Sequence, residues 1–449
     1  MFENNHDFYF LNHNNVDFEC KRTAKLQFSP YSNHLETWSS LKFDLPKYQQ
    51  KVDAIRKDFP FLSNPDNPIW FDNAATTQKP ASVISAQDHF YREHYSNINR
   101  AEHQKSKIAT EMYEDSRKTV ASFLSAKTSD EIIFVRGTTE GINLLSNTLG
   151  SQYLKQNDHI LLLEYEHHAN LVPWQMLAKK VGAHIHPVPF DDSGNIKLVE
   201  YERLLKELRP VIVSLNHVSN ILGTITPVKE MTSMAHNVGA IVVVDGAQAV
   251  SHLRVNVQDL DVDFYVFSGH KIFGPTAVGA IYGRKSYLQT LEPWQYGGNM
   301  IHDVSFARST FAPIPARFEA GTPAIVEVIG LKVALDYVQN IGYEWIHSYE
   351  TQLTDYLYKQ LASFDKIKIF GSPKERASVI AFTIQGKEDK DVGAFLDKHN
   401  IALRVGHHCA LPTLQHYGRN SAVRCSLSFY NTYDEVQRFI KVIHDYISM

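Results

Sequence analysis

An α/β fold built on a mainly parallel sheet is predicted by three features of this chain: short β-branched-rich apolar runs, the helical stretches that separate them, and the polar turns in which the runs end. The runs fall at residues 131–135, 159–163, 184–189, 211–215, 240–244, 263–267 and 278–282. They are continuous rather than alternating, the pattern of strands covered on both faces. The intervening helices are amphipathic; in one of them Tyr113, Val120, Phe123 and Leu124 lie on one side. Strand and helix in alternation predict a doubly wound large domain over residues 66–335. After Pro323 a helix is expected over 325–341, closing at Gly342 as a C-cap would, and a second over 344–364. A smaller α+β domain over 336–449 follows, with strands near 367–370, 378–384, 401–404 and 423–429 and helices near 391–399 and 433–448. Residues 46–65 are expected to pack against it.

With 449 residues the chain is too long for one compact core, and an apolar fraction of 43% is ample for two. A net charge of −4 without any Lys/Arg block gives no support for nucleic acid or an anionic membrane as partner. No apolar run reaches the roughly 18 residues a membrane span needs, so no membrane association is expected. Residues 1–45 are rich in Asn, His, Phe and Ser, and carry Glu3, Asp7, Asp17, Glu19 and Glu36 without an apolar core. They read as an N-terminal extension of unassigned role rather than a secretory or transit signal. The three cysteines, Cys20, Cys409 and Cys425, form an odd and sparse set that fits a reducing compartment, and a cytoplasmic location is expected.

The chemistry gathers at strand ends. Phe264-Tyr-Val-Phe-Ser-Gly-His-Lys271 runs an apolar strand into one lysine before a Gly-Pro stop, and 241–244 ends in Asp245-Gly246-Ala247-Gln248. Ligands of open α/β sheets bind at the carboxyl edge of the strands. An amine and a carboxylate on that edge are what pyridoxal phosphate requires: a Schiff-base lysine and a partner for the protonated ring nitrogen. A solvated lysine beside a helix-capping aspartate is the plainer alternative. Arg136-Gly-Thr138-Thr139 opens a helix whose free amides suit a phosphate, with Ser268 and His270 as further donors, although an ordinary N-cap has the same pattern. Glu166-His167-His168 follows another strand; one imidazole stacked on a planar cofactor fits better than a metal site. Asn220 ends a third. In Arg404-Val-Gly-His407-His408-Cys409-Ala-Leu-Pro412 the loop cysteine is placed for exposure in a setting that favours a thiolate, and the sequence reads as a nucleophile rather than a zinc site, because consecutive residues do not spread into a tetrahedron. Arg424, on an apolar strand, suits a substrate carboxylate, with an internal ion pair to an Asp or Glu as the alternative.

Six blocks resemble, in order, those of class V aminotransferase-like enzymes of pyridoxal phosphate fold-type I: Phe71-Asp-Asn-Ala-Ala75, Phe134-Val-Arg-Gly-Thr-Thr-Glu-Gly-Ile-Asn143, Glu166-His-His-Ala-Asn170, Val244-Asp-Gly-Ala-Gln-Ala249, Phe267-Ser-Gly-His-Lys271 and Arg317-Phe-Glu-Ala-Gly-Thr-Pro323. Arg404-Val-Gly-His-His-Cys-Ala410 resembles the SufS-type cysteine desulfurases within that group. The resemblance runs from about Val52 to the C-terminus. It implies that Lys271 holds the cofactor, Asp245 pairs with its ring nitrogen, Gln248 with its hydroxyl, and His167 stacks on the ring. It implies phosphate binding by Thr138, Thr139, Ser268 and His270, joined by Thr322 from the second subunit of a homodimer. Asn220 and Arg424, with Arg404, would fix the substrate carboxylate, and Cys409 would accept sulfur. The implied reaction turns L-cysteine into L-alanine and a Cys409 persulfide, passed to a SufE-like or SufU-like protein for iron–sulfur cluster assembly. L-Selenocysteine is the alternative substrate, as in a selenocysteine lyase; another aminotransferase-like activity or a non-catalytic scaffold is the more distant one. Asn99-Arg100-Ala101 departs from the His-Arg-Gly common in the family.

Overall fold

The computed structural model describes residues 45–99 and 102–449. The expectations for the N-terminal extension, Cys20, Arg100 and Ala101 lie outside the described residues. The rest belongs to one compact unit.

All the expected large-domain strands form, each within one residue of its predicted bounds: β1 (Ile132–Val135), β2 (His159–Leu163), β3 (His184–Val188), β4 (Ile212–Asn216), β5 (Ile241–Asp245), β6 (Phe264–Ser268) and β7 (Gly279–Gly283). They make a seven-stranded sheet in the order β1-β7-β6-β5-β4-β2-β3. Neighbours from β6 to β3 pair in parallel, and β7 alone runs antiparallel, to β1 and β6. Interior strands are buried along their length, as their continuous apolar sequences require. Only the edge strand β3 leaves residues such as His184 in solvent.

Helices α1 (Leu45–Lys57), α2 (Gln104–Leu124), α3 (Thr138–Leu145), α4 (His168–Val181), α5 (Ile325–Ile341), α6 (Tyr343–Ala362) and α7 (Tyr433–Ser448) cover the sheets. One core cluster joins Ile133, Ile142, Leu145, Leu162, Trp174, Val243, Val266 and Ile281 across the faces of α3 and α4. Gly342 caps α5 as expected, at φ 92°. A Cβ at Gly246 would lie 2.1 Å from the Tyr265 ring, so only glycine lets the chain turn past β6 directly after Asp245.

The smaller sheet contains β8 (Ile367–Ile369), β9 (Val379–Ile384), β10 (Arg404–Gly406) and β11 (Ala422–Ser426), in the order β8-β9-β11-β10 and antiparallel throughout. The expected 401–404 strand is two pieces. Ile401–Ala402 pairs in parallel with Ile69–Trp70, and the chain then changes partner to join β11. Strand β11 stops earlier than expected because Ser428 and Asn431 close a turn, with the Ser428 amide donating to Asn431 Oδ1 at 2.9 Å. A capping box at Thr432 and Glu435 then starts α7. Tyr48 hydroxyl to Ser348 Oγ at 2.7 Å ties α1 to α6, and Arg56 to Glu435 at 2.9 Å ties it to α7.

A buried ion pair stitches α2 to the loop before α5. Arg117 meets Glu319 at 2.6 Å, with both side chains almost inaccessible, while Tyr113 and the Phe134 amide complete the carboxylate's hydrogen bonds. Arg117→Met removes one charge and leaves the other buried. Its expected cost is about 3–5 kcal/mol, read as a lowered urea midpoint; an unchanged midpoint would count against this pair as a structural tie.

Candidate active site

The carboxyl ends of β1, β2, β4, β5 and β6 lead into Thr138, His167, Asn220, Asp245 and Lys271, which line one cavity of about 500 Å³. Thr139, Gln248, Ser268, His270, Arg404, His408, Cys409 and Arg424 line it as well. Parallel strands whose loops emerge on one edge bring these distant residues together. Thr322 is absent from this cavity. It lines a different one, beside Trp294 and Glu319.

Lys271 ends a short turn after β6 that is anchored through the neighbouring carbonyl. His270 O accepts from the Thr77 amide at 3.1 Å and from Lys79 Nζ at 3.0 Å. Burial pulls the Lys271 ammonium down to about 8, with Asp245 opposing the shift. Asp245 is itself buried, and burial holds its carboxyl above the usual range against the Ala247 amide, which donates at 2.9 Å, and the Lys271 charge. Gln248 donates to Ala74 O at 2.6 Å, which fixes its amide beside the cavity.

Thr138 begins α3 after Gly137, whose φ of 150° few other residues adopt. The Thr138 amide and hydroxyl both meet Ser268 Oγ at 2.8 Å. Helix-start amides, two hydroxyls and the His270 ring therefore converge next to Lys271. Burial lowers His270 to about 4, so the ring is neutral near pH 7.

His167 N-caps α4, its Nδ1 accepting from the Ala169 amide at 3.0 Å. Burial, reinforced by the nearby Lys271 charge, lowers it to about 3. A neutral, buried ring at the cavity wall suits stacking on a flat conjugated group. Asn220 Nδ2 donates to His408 O at 2.7 Å, while its Oδ1 is buried without a hydrogen-bond partner.

Arg424 donates through Nη1 to Asn220 O at 3.0 Å and through Nη2 to Asp72 at 3.1 Å, so the internal ion pair named as the alternative is present. Its Nε is buried and unpartnered. Asp72 also receives Arg404 Nε and Nη2, at 3.1 and 3.0 Å to Oδ2. Asp72 stands inside a block quoted for its resemblance, yet its neighbours gave no sign that two arginines would converge on it.

Cys409 sits half-buried in the loop after β10, and Cys425 lies in the core, where burial pushes its thiol far up. His408 turns inward: its Nε2 donates to Ala422 O at 2.9 Å, and burial lowers it to about 3. His168 and His407, read separately in the sequence, stack at 5.6 Å beside Cys409.

The profile of the family described as aminotransferase class-V matches residues 69–439, and the chain belongs to that family. A cysteine desulfurase of Synechococcus elongatus is 47% identical over 395 residues, 87% of this chain and 63% of the relative, so the chain spans less than two thirds of that protein. A cysteine desulfurase of Escherichia coli is 45% identical over 393 residues, covering 87% of this chain and 96% of the relative. The apo structure of a cysteine desulfurase from Thermococcus onnurineus superposes with a TM-score of 0.84 at 39% identity, covering 88% of this chain and 98% of the other. The family uses pyridoxal phosphate. The cavity fits that group: a buried amine and carboxylate face each other on the floor, a donor set for a phosphate stands beside them, and the orphaned Asn220 Oδ1 is left for a donor to fill.

The buried imidazoles make the fold acid-sensitive. His217 is lowered to about 4 and His408 to about 3, against 6.5 for the ordinary ring. Below pH 6.5 the unfolded chain therefore binds more protons than the folded one. Stability is complete above that pH and falls as pH drops toward 4, each ring adding a slope of up to about 1.4 kcal/mol per pH unit. In His217→Gln the slope of unfolding free energy between pH 6 and 4.5 should be shallower by up to one proton. Equal slopes in the two proteins would refute the assignment.

Proposed function

We propose that this chain is a pyridoxal phosphate-dependent cysteine desulfurase that converts L-cysteine to L-alanine and passes the sulfur from Cys409 to an acceptor protein for iron–sulfur cluster assembly. One observation carries the reading: Lys271 and Asp245 share a cavity with Cys409 and Arg424. The names of the relatives support it. When bound, pyridoxal phosphate supplies an electron sink that weakens the bonds around the amino-acid Cα.

The chain's own groups do the rest. Lys271 would hold the group through Nζ, Asp245 would keep a proton on its ring nitrogen, and Gln248 would meet its hydroxyl. His167 would cover one face as a neutral ring, and Thr138, Thr139, Ser268 and His270 would take the phosphate. Arg424, whose Nε is unpartnered, holds the substrate carboxylate together with Asn220, with Arg404 at the mouth. Once the amine of the substrate has taken its place on the group, the freed Lys271 amine, near 8, can take the Cα proton and give it back close to neutral pH. The Cys409 thiolate attacks the substrate sulfur. Its S–S bond forms as the Cβ–S bond breaks, and the carbon gains the hydrogen that makes L-alanine. A persulfide on the half-buried loop is reachable by a SufE-like or SufU-like acceptor. A homodimer would bring Thr322 of a second copy to the phosphate. The free thiols suit the cytoplasm; no helix among the described residues is long and apolar enough to cross a membrane.

Purified protein given L-cysteine and a reductant should yield alanine and sulfide in equal amounts. Cys409→Ala should keep the cofactor's visible absorption and lose sulfur transfer to background, whereas Lys271→Ala should lose the absorption of the lysine-bound form. Full transfer by Cys409→Ala would overturn the nucleophile. Arg424→Lys gives up a charged hydrogen-bond fork, which is expected to raise KM for L-cysteine about 10- to 100-fold with a smaller effect on kcat; a change in kcat alone would remove Arg424 from substrate binding.

A further inference from the structure

His168, His407 and Cys409 each offer one ligand atom, and the three atoms lie within 4.8 Å of one another. They come from two segments, the first turn of α4 and the loop after β10, so the objection that consecutive residues cannot surround an ion does not apply. The two segments are pinned together: the His168 amide donates to Cys409 O at 2.7 Å, and the Leu411 amide donates to His168 Nε2 at 3.3 Å. Left-handed φ values of 52° at His408 and 54° at Cys409 accompany the turn in which His408 points inward while His407 and Cys409 remain at the cavity mouth. His407 is exposed and the other two are half-buried, so an ion has a path in from solvent.

Two imidazoles and one thiolate are the donor set of zinc-class cations, with a fourth tetrahedral position left open. Zinc bonds of about 2.0–2.3 Å put neighbouring ligand atoms about 3.5 Å apart, so the cluster closes by about 1 Å on binding. Each ring now accepts nothing stronger than a backbone amide: His168 from Leu411, and His407 from Cys409 at 3.0 Å. A metal ion is a stronger partner than either amide and displaces the thiol proton. We propose that His168, His407 and Cys409 form an open three-ligand site for a zinc-class divalent cation that caps the Cys409 sulfur. While the ion is bound, the thiolate shares its charge with the cation and the cation crowds the sulfur, so its attack is slowed. That consequence rests on the desulfurase reading; the binding itself does not.

Zinc alone, added to the reduced full-length holoenzyme and read by equilibrium dialysis with metal analysis, tests the proposal without any turnover. One zinc per chain is expected, bound at least about tenfold more weakly by His168→Gln, His407→Gln and Cys409→Ser, each checked for native circular dichroism. Cobalt(II) in place of zinc should give a thiolate-to-metal band in the difference spectrum that Cys409→Ser abolishes. Failure of the parent to bind zinc, or affinity unchanged in all three variants, would overturn the site. So would loss of binding on His184→Gln alone, which would move the ion to the His159, His184 and His186 group at the sheet edge.

Discussion

The two arginines of the smaller sheet can coexist only because of Asp72. Strands β10 and β11 set Arg404 and Arg424 directly opposite one another in register, an arrangement of like charges that opposes pairing. The Asp72 carboxylate lies across both and cancels that opposition. It also fixes more than charge. Asp72 bridges to Ser426, and the flanking Phe71 amide donates to Ala402 O, so the same few residues bind the N-terminal segment into the smaller sheet. Arg424, held by Asp72 on one side, reaches Asn220 at the edge of the large sheet on the other. One carboxylate thus helps set how the cavity floor and the smaller sheet that carries the cysteine loop sit together. Removing it would leave a nearly inaccessible guanidinium facing a second one, and the low-dielectric surroundings make such an unpaired charge costly.

Burial sets the character of the cavity floor by acting oppositely on its two charged groups. It pulls the Lys271 ammonium down and pushes the Asp245 carboxyl up, while each charge partly restores the other. Three of the surrounding imidazoles add no positive charge near neutral pH, because burial keeps His167, His270 and His408 unprotonated. Glu166, buried below the same edge, is pushed the same way as Asp245 and accepts from the Asn216 amide at 2.7 Å. The outcome is an amine able to change protonation near neutrality beside Asp245, the one carboxylate among the described residues that line the cavity. A surface lysine and aspartate would have neither property.

What the sequence disclosed follows from what is local in it. Continuous β-branched runs mark buried strands wherever the fold places them, so the large sheet was legible almost to the residue. The groups just beyond strand ends were legible because parallel topology delivers every carboxyl end to one edge. Properties that depend on a distant partner were not. The 401–404 segment has the composition of one strand, and only the presence of Ile69–Trp70 divides it. Asp72 carries no pattern in its own neighbourhood, since its partners lie more than three hundred residues away. The pairing of His168 with His407 and Cys409 is another such case: two histidine-rich stretches, each a poor metal site by itself, become one cluster through tertiary contact.

The conformation of the cysteine loop shows how the large sheet controls a residue that the smaller sheet carries. Left-handed φ at two successive non-glycine residues, His408 and Cys409, costs on the order of 1–2 kcal/mol each. The loop retains it because both of their carbonyls are held from across the cavity, His408 O by Asn220 Nδ2 at 2.7 Å and Cys409 O by the His168 amide at 2.7 Å. Both anchors follow strand ends of the large sheet, so the position of the thiol is set by the floor it faces rather than by its own loop. Asn220 is the shared element: one end of its amide grips the loop, while the other, Oδ1, is buried and unsatisfied. Any donor that settles on Oδ1 orients that amide more firmly and with it the hydrogen bond to His408. Occupancy of the floor and the placing of the Cys409 thiol are therefore coupled through a single side chain.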